Sequence, residues 1–91
     1  MNDETPWLAL GERLGSARRR LFLSQNQVAQ RVGITQGAYS QIERGRIRPR
    51  LSHLRTLSAL LHLSLAELLP LAGYEVDALV TSVAMDLALG S

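Results

Sequence analysis

The sequence predicts an all-α fold, with five short helices over residues 8–70 and a sixth over residues 74–89. Three observations carry this. Apolar residues recur at steps of three and four, the spacing of one helix face, and do not alternate as strands do. Residues that cap or stop helices stand between these periodic runs. With 46% hydrophobic residues the chain has enough for a core, but aromatics are only 4% and cysteine is absent, so packed Leu, Val, Ile and Ala must supply the stability.

Leu10, Leu14, Ala17 and Leu21 set the first helix, from Leu8 to Leu21. The second begins near Ser24, whose hydroxyl can cap exposed amides while Gln27, three residues on, completes a capping box. Val28, Ala29 and Val32 form its inner face. Gly33 suits the left-handed conformation that ends a helix, and Thr35 can cap the next one almost at once. The third helix, about Gln36 to Arg44, buries Tyr39 and Ile42 with Ala38 beside them, and Gly45 stops it. Pro49 disfavours helix at Arg48, so Arg46 to Arg50 reads as an exposed basic loop. Leu51, Leu54, Leu57, Leu60 and Leu61 mark the fourth helix. Leu63 to Leu69 form a fifth, closed by Pro70. In the sixth, Val76, Leu79, Val80, Val83 and Leu87 share a stripe that either folds back on the core or meets a second subunit. No internal repeat or long linker is evident.

Ninety-one residues allow one domain plus a short appendage, and the division falls at residues 8–70 and 71–91. The formal net charge of +2 conceals an asymmetry. Residues 13–55 hold all ten arginines against Glu43 alone, and the acidic residues lie in the flanks. Arginine's planar fork suits phosphate oxygens and base edges, so an anionic polymer is the natural partner; a solvated helix face or an arginine-rich codon usage gives the same excess. The leucine-rich stretch from Leu57 to Ala72 is broken by Ser58, His62, Ser64, Glu67 and Pro70, short of the roughly 20 apolar residues a membrane span needs. The amino terminus lacks the pattern of a secretory signal, so by default a cytoplasmic location is expected, nucleoid-associated if the anionic partner is DNA.

Two short helices joined by a tight turn can set the second against DNA while the first braces it across the backbone. On the outer face of the third helix, the amides of Gln36 and Gln41 can both donate and accept, as an adenine edge requires, and Ser40 and Arg44 extend the same face. Gly37 carries no reading group: it either lets the backbone approach DNA closely or is simply tolerated near the helix start.

The stretch from Leu23 to Leu69 resembles the phage-repressor and Cro-like helix-turn-helix family, the XRE-like regulators. Leu23, Ser24, Gln25, Ala29, Gly33, Ile34, Thr35, Ile42, Glu43, Arg44, Gly45, Pro49, Leu51, Leu54, Leu57, Leu65, Glu67 and Leu68 fall in register with its pattern, and the likeness covers about residues 8–70. It implies a compact five-helix repressor-like domain that binds double-stranded DNA and regulates transcription. By resemblance, Gln36, Gly37, Ser40 and Gln41 occupy base-reading positions, although Gly37 departs from the usual reader there. Gln25 matches a residue that contacts phosphate and supports Gln36. Thr35, Arg44, Arg46, Arg48 and Arg50 fall at phosphate or minor-groove positions. Arg18 and Glu43 match a structural ion pair, and His62 replaces a glycine common at the end of the fourth helix, where a terminal cap is expected.

Catalysis has little support. Glu43 stands alone among arginines, His53 and His62 lack a third ligand, and neither Ser24 nor Ser40 has a base with its orienting partner, so no enzyme, metal site or cofactor is expected. A homodimer on a near-palindromic operator, built by the Val76–Leu87 stripe or by the fifth helix, is the expected assembly. The competing role is an antitoxin or adaptor that binds a protein partner through its carboxy-terminal helix and uses DNA binding for autoregulation.

Overall fold

Side-chain caps set the helix boundaries. Ser24 accepts a hydrogen bond from the Gln27 backbone N–H at 3.0 Å, and the Gln27 side chain accepts from the Ser24 N–H at 2.8 Å, which together satisfy two donors at a helix start. Thr35 accepts from Ala38 N–H at 3.0 Å and Ser64 from Glu67 N–H at 3.4 Å. The computed structural model describes residues 5–74, which form α1 (Leu8–Arg20), α2 (Gln25–Val32), α3 (Gln36–Glu43), α4 (Leu51–Leu60) and α5 (Leu65–Leu71). This is the all-α five-helix bundle that the periodicity predicts. The expected sixth helix, with Val76, Leu79, Val80, Val83 and Leu87, lies outside the described residues.

Leu10, Leu14 and Ala17 of α1 meet Val28 and Ala29 of α2, Tyr39 and Ile42 of α3, Leu54 and Leu57 of α4, and Leu68 and Leu69 of α5 in one core. Each fully buried leucine contributes about 1.5–3 kcal/mol, and these side chains replace the disulfides the chain lacks. Ala38 is only half-buried, at the margin of this core.

Two helix connections follow one design, a local recurrence that helical periodicity does not reveal. Leu21-Phe22-Leu23-Ser24 joins α1 to α2, and Leu61-His62-Leu63-Ser64 joins α4 to α5. In each the second residue is left-handed, Phe22 at φ 59° and His62 at φ 58°. The following leucine N–H then reaches back to the helix end, Leu23 to Arg18 O at 3.1 Å and Leu63 to Ser58 O at 2.8 Å. The serine caps the next helix. A bulky residue held left-handed costs on the order of 1–2 kcal/mol relative to glycine.

The end of α5 differs from expectation. Pro70 lies inside the helix and does not close it. In so short a helix a proline removes only the bond to the carbonyl four residues back, that of Ala66, and the last turn survives. Gly73, at φ 81°, supplies the stop, with its N–H on Pro70 O at 3.1 Å and the Tyr74 N–H on Leu69 O at 2.9 Å. The bundle therefore runs past residue 70: Ala72 is fully buried, and Tyr74 packs on the core. At the other end Trp7 also packs on it.

Two close approaches lock α1 to α3. At Gly11 an added methyl would land on the Glu43 carbonyl and within 2.7 Å of the Ile42 oxygen. At Gly45 it would stand 2.5 Å from Leu8 Cα, and the residue is left-handed at φ 77°, so glycine is required twice over. The Trp7 N–H donates to the Gly45 carbonyl at 3.0 Å. Among the described residues no helix is long and apolar enough to cross a membrane.

Candidate nucleic-acid interface

α3 is divided along its length. Tyr39 and Ile42 are buried, whereas Gln36 and Gly37 are exposed and Ser40 and Gln41 half-exposed on the other side. Arg44, at the helix end, is exposed. The three-residue turn Gly33-Ile34-Thr35 holds α3 against α2: Gly33 and Ile34 both donate to Ala29 O, at 2.9 and 3.0 Å. Gly33 takes φ 89°, which lets the chain reverse so tightly. Thr35 is exposed, and its hydroxyl oxygen is occupied by the Ala38 N–H while its own proton is free to donate. A methyl on Gly37 would meet nothing within 4 Å.

The carboxy-terminal end of α3 is fixed by a shared carboxylate. Arg18 donates from Nε to Glu43 Oε2 at 2.6 Å and from Nη2 to Oε1 at 3.1 Å, a two-pronged contact. Its Nη1 donates to Leu23 O at 2.9 Å, so one guanidinium ties α1 to the α1–α2 connection and to α3. Gln25 Nε2 donates to Glu43 Oε1 at 2.9 Å. The resemblance sets that amide against phosphate and Gln36; here it bonds Glu43 and not Gln36, because the carboxylate offers a charged acceptor within reach. Burial pushes the Glu43 carboxyl pKa up, but the Arg18 guanidinium, the Tyr39 hydroxyl and the Gln25 amide outweigh it and hold the group below its ordinary range. The contact with Glu43 raises Arg18 in turn, against burial. Burial and the adjacent Glu43 carboxylate raise Tyr39, whose buried hydroxyl has no well-formed hydrogen bond.

The basic loop is less free than its composition suggests. Arg46 and Arg50 are exposed, and the Arg46 N–H donates to Gln41 O at 3.0 Å, which fixes the loop to the base of α3. Arg48, expected at phosphate, spends its Nε on Ala72 O at 2.8 Å and lies 4.0 Å from the centre of the Tyr74 ring, while the Tyr74 hydroxyl donates to Pro49 O at 3.2 Å. It straps the loop to the end of α5. Arg48 sits in a run of alternating arginines, and nothing in that run distinguishes it from its neighbours. Between α3 and this loop lies a groove of about 370 Å³, walled by Ile34, Ile42 and Ile47 and edged by Arg50 and His53.

Residues 5–74 carry ten arginines against Glu12, Glu43 and Glu67. Glu43 is committed to Arg18, and Glu67 pairs with Arg13 at 3.2 Å across α1 and α5, a contact that no spacing in the sequence signals. The exposed faces around α3 therefore carry largely uncompensated positive charge. Such a surface attracts a polyanion, and the polar face of α3 offers the donors and acceptors that base edges require. Among the described residues no group of three or more His, Cys, Asp or Glu could hold a metal ion.

Comparison with known proteins agrees with this geometry. Residues 10–68 match the family described as helix-turn-helix. Two relatives, the HTH-type transcriptional regulator PuuR of Escherichia coli K12 and that of Shigella flexneri, are each 40% identical over 67 residues. The aligned part is 74% of this chain but 35% of each regulator, so the chain spans about a third of their length. The crystal structure of the clp gene regulator ClgR from Corynebacterium glutamicum superimposes with a TM-score of 0.65 at 27% identity, covering 90% of this chain and 85% of that one.

Proposed function

The chain belongs to the helix-turn-helix family as an XRE/Cro-type DNA-binding regulator domain, and on that premise we propose that it represses transcription by holding α3 in the major groove of an operator. One observation carries the reading: the face of α3 bearing Gln36, Ser40 and Gln41 is turned away from a core that buries Tyr39 and Ile42, among arginines with few acidic neighbours. Gln36 and Gln41 read bases through their amides, with Ser40 beside them. Thr35, Arg44, Arg46 and Arg50 grip phosphates on the groove walls, and Gln25 can add a phosphate contact through the part of its amide that Glu43 leaves free. Arg48 acts by holding the loop in place.

A single module of this kind covers roughly 600–1,000 Å² of DNA, too little for tight operator selection. Two copies with recognition helices about 34 Å apart would read a near-palindrome on one side of the duplex, in the cytoplasm where the operator lies. The stripe Val76, Leu79, Val80, Val83 and Leu87 is the sequence element suited to pair them. An operator-bound dimer excludes polymerase without an activating segment. No cofactor and no catalytic step enters this reading.

Selection of bound duplexes from a random DNA library tests it directly. An enriched sequence with two half-sites one helical turn apart supports a dimeric reader, whereas a library that stays random after several rounds rejects sequence-specific binding. Mass in solution with and without residues 75–91 then asks whether the stripe forms the dimer; a truncated chain that stays dimeric removes it from that role.

A further inference from the structure

Phe22 is 92% exposed and left-handed, at φ 59°. Both properties argue against phenylalanine at this place. Water gains nothing from the ring, and the backbone conformation favours glycine or asparagine. The equivalent link between α4 and α5 has the same left-handed residue, but there it is His62, a polar side chain content in solvent. The ring of Phe22 is thus a choice that neither folding nor solubility explains.

Its surroundings name an occupant. Arg18, Arg19 and Arg20 precede it, with Arg19 and Arg20 exposed, and no acidic residue stands between Glu12 and Glu43 in the chain. Leu23, the next residue, is bonded by Arg18, and Gln25 by Glu43. Arg44 follows that same Glu43 at the end of α3. The Phe22 link is therefore pinned beside the carboxy-terminal end of the recognition helix, in a basic setting, immediately ahead of the helix that in such a pair crosses the DNA backbone.

We propose that Phe22 packs its ring on deoxyribose of the operator backbone beside the major groove, adding an apolar contact to the arginine grip. The proposal rests on the DNA-binding function argued above. A deoxyribose face is apolar between charged phosphates, so a ring flanked by arginines matches its alternation of apolar and anionic groups. Because the ring bears no charge and reaches no base edge, it adds affinity without adding sequence preference or salt dependence.

The test compares Phe22→Gly, Phe22→Trp and His62→Gly with the unaltered chain. Each is assayed by thermal unfolding and by titration of a library-selected duplex at several salt concentrations. Phe22→Gly is expected to melt at a higher temperature, since the left-handed strain is relieved, and yet to bind about tenfold more weakly, the weight of covering most of one aromatic ring. Its salt slope and its ranking of operator variants stay as they were, and Phe22→Trp keeps its affinity. His62→Gly is expected to melt higher with affinity unchanged. The proposal is overturned if Phe22→Gly binds as tightly as the unaltered chain, if its loss comes with a changed salt slope, or if the loss vanishes once protein concentration saturates dimer formation, which would give the ring to a protein interface. An unaltered chain that shows no preferred duplex overturns the DNA reading and this proposal together; a chain that binds well, with or without the ring, overturns this proposal alone.

Discussion

Arg18 and Glu43, twenty-five positions apart, form a two-pronged contact that joins the end of α1 to the end of α3, with Nε and Oε2 2.6 Å apart and Nη2 and Oε1 3.1 Å apart. Both side chains are nearly withdrawn from solvent, at 13% and 9% exposure. Removing one partner leaves the other charge poorly solvated in the place it must still occupy. Arg18→Ala is therefore expected to destabilise the fold by about 2–3 kcal/mol, somewhat less than for a fully buried pair, as read from urea denaturation at constant m value.

The same pair gives the fold an acid limb. Glu43 has a folded pKa below its unfolded one, so its stabilisation is complete above the ordinary value of 4.5 and is lost as pH falls from there through the folded value. Glu43→Gln is expected to be less stable at neutral pH and to show a flatter decline below pH 4.5. Equal acid slopes for the two proteins would place the titration elsewhere.

Gly11 meets the α3 backbone with no space for a side chain, since an added methyl would overlap the Glu43 carbonyl. An alanine is an excellent helix former, and on propensity alone Gly11→Ala would stabilise α1 by about 0.5–1 kcal/mol. The overlap is with backbone, which cannot rotate away, so a net loss of about 2 kcal/mol or more is expected on thermal or urea unfolding. A neutral result would mean that α1 and α3 separate at small cost.

The contrast between Gly11 and the caps shows where a sequence speaks and where it does not. Ser24, Gln27 and Thr35 act on amides three residues away, so their spacing alone locates the starts of α2 and α3. Gly33 and Gly45 announce left-handed turns by identity. Gly11 and Gly15 lie four apart on one helix face, a hint of close packing, but that Gly11 meets the α3 backbone and Gly15 the Glu43 side chain depends on how distant segments come together. The commitment of Gln25 to Glu43 and of Arg48 to Ala72 depends in the same way on tertiary placement: both side chains are long, polar and adaptable, and their types suit phosphate equally well. Pro70 misled for a local reason, since a proline in the last turn of a short helix removes too little to end it.

Gly37 stands in the opposite situation to Gly11. It is the second residue of α3, exposed, and a methyl added there would find nothing within 4 Å. Gly37→Ala is expected to stabilise the free protein by about 0.5 kcal/mol or slightly more, the lower part of the usual glycine-to-alanine gain because the position lies near the helix start. Duplex titration then divides the two roles open to this glycine. Weaker binding by a more stable protein means the backbone must come close to the DNA, and unchanged binding means the glycine is merely tolerated.

Four substitutions separate readers from anchors. Gln36→Ala and Gln41→Ala are expected to relax discrimination by roughly 1–3 kcal/mol at the base each contacts in bidentate fashion, with the salt dependence unchanged. Arg46→Ala and Arg50→Ala are expected to weaken binding across operator variants and to lower the salt slope by about one. Arg48→Ala sets a useful limit on this scheme. Its guanidinium already holds the Ala72 carbonyl and covers the Tyr74 ring, so its loss should register first as reduced stability of the α5 end and only then as weaker binding. If Arg48→Ala instead leaves unfolding untouched and lowers the salt slope as Arg46→Ala does, its guanidinium leaves the strap for phosphate when DNA arrives, and the loop is held by Tyr74 and Pro49 alone.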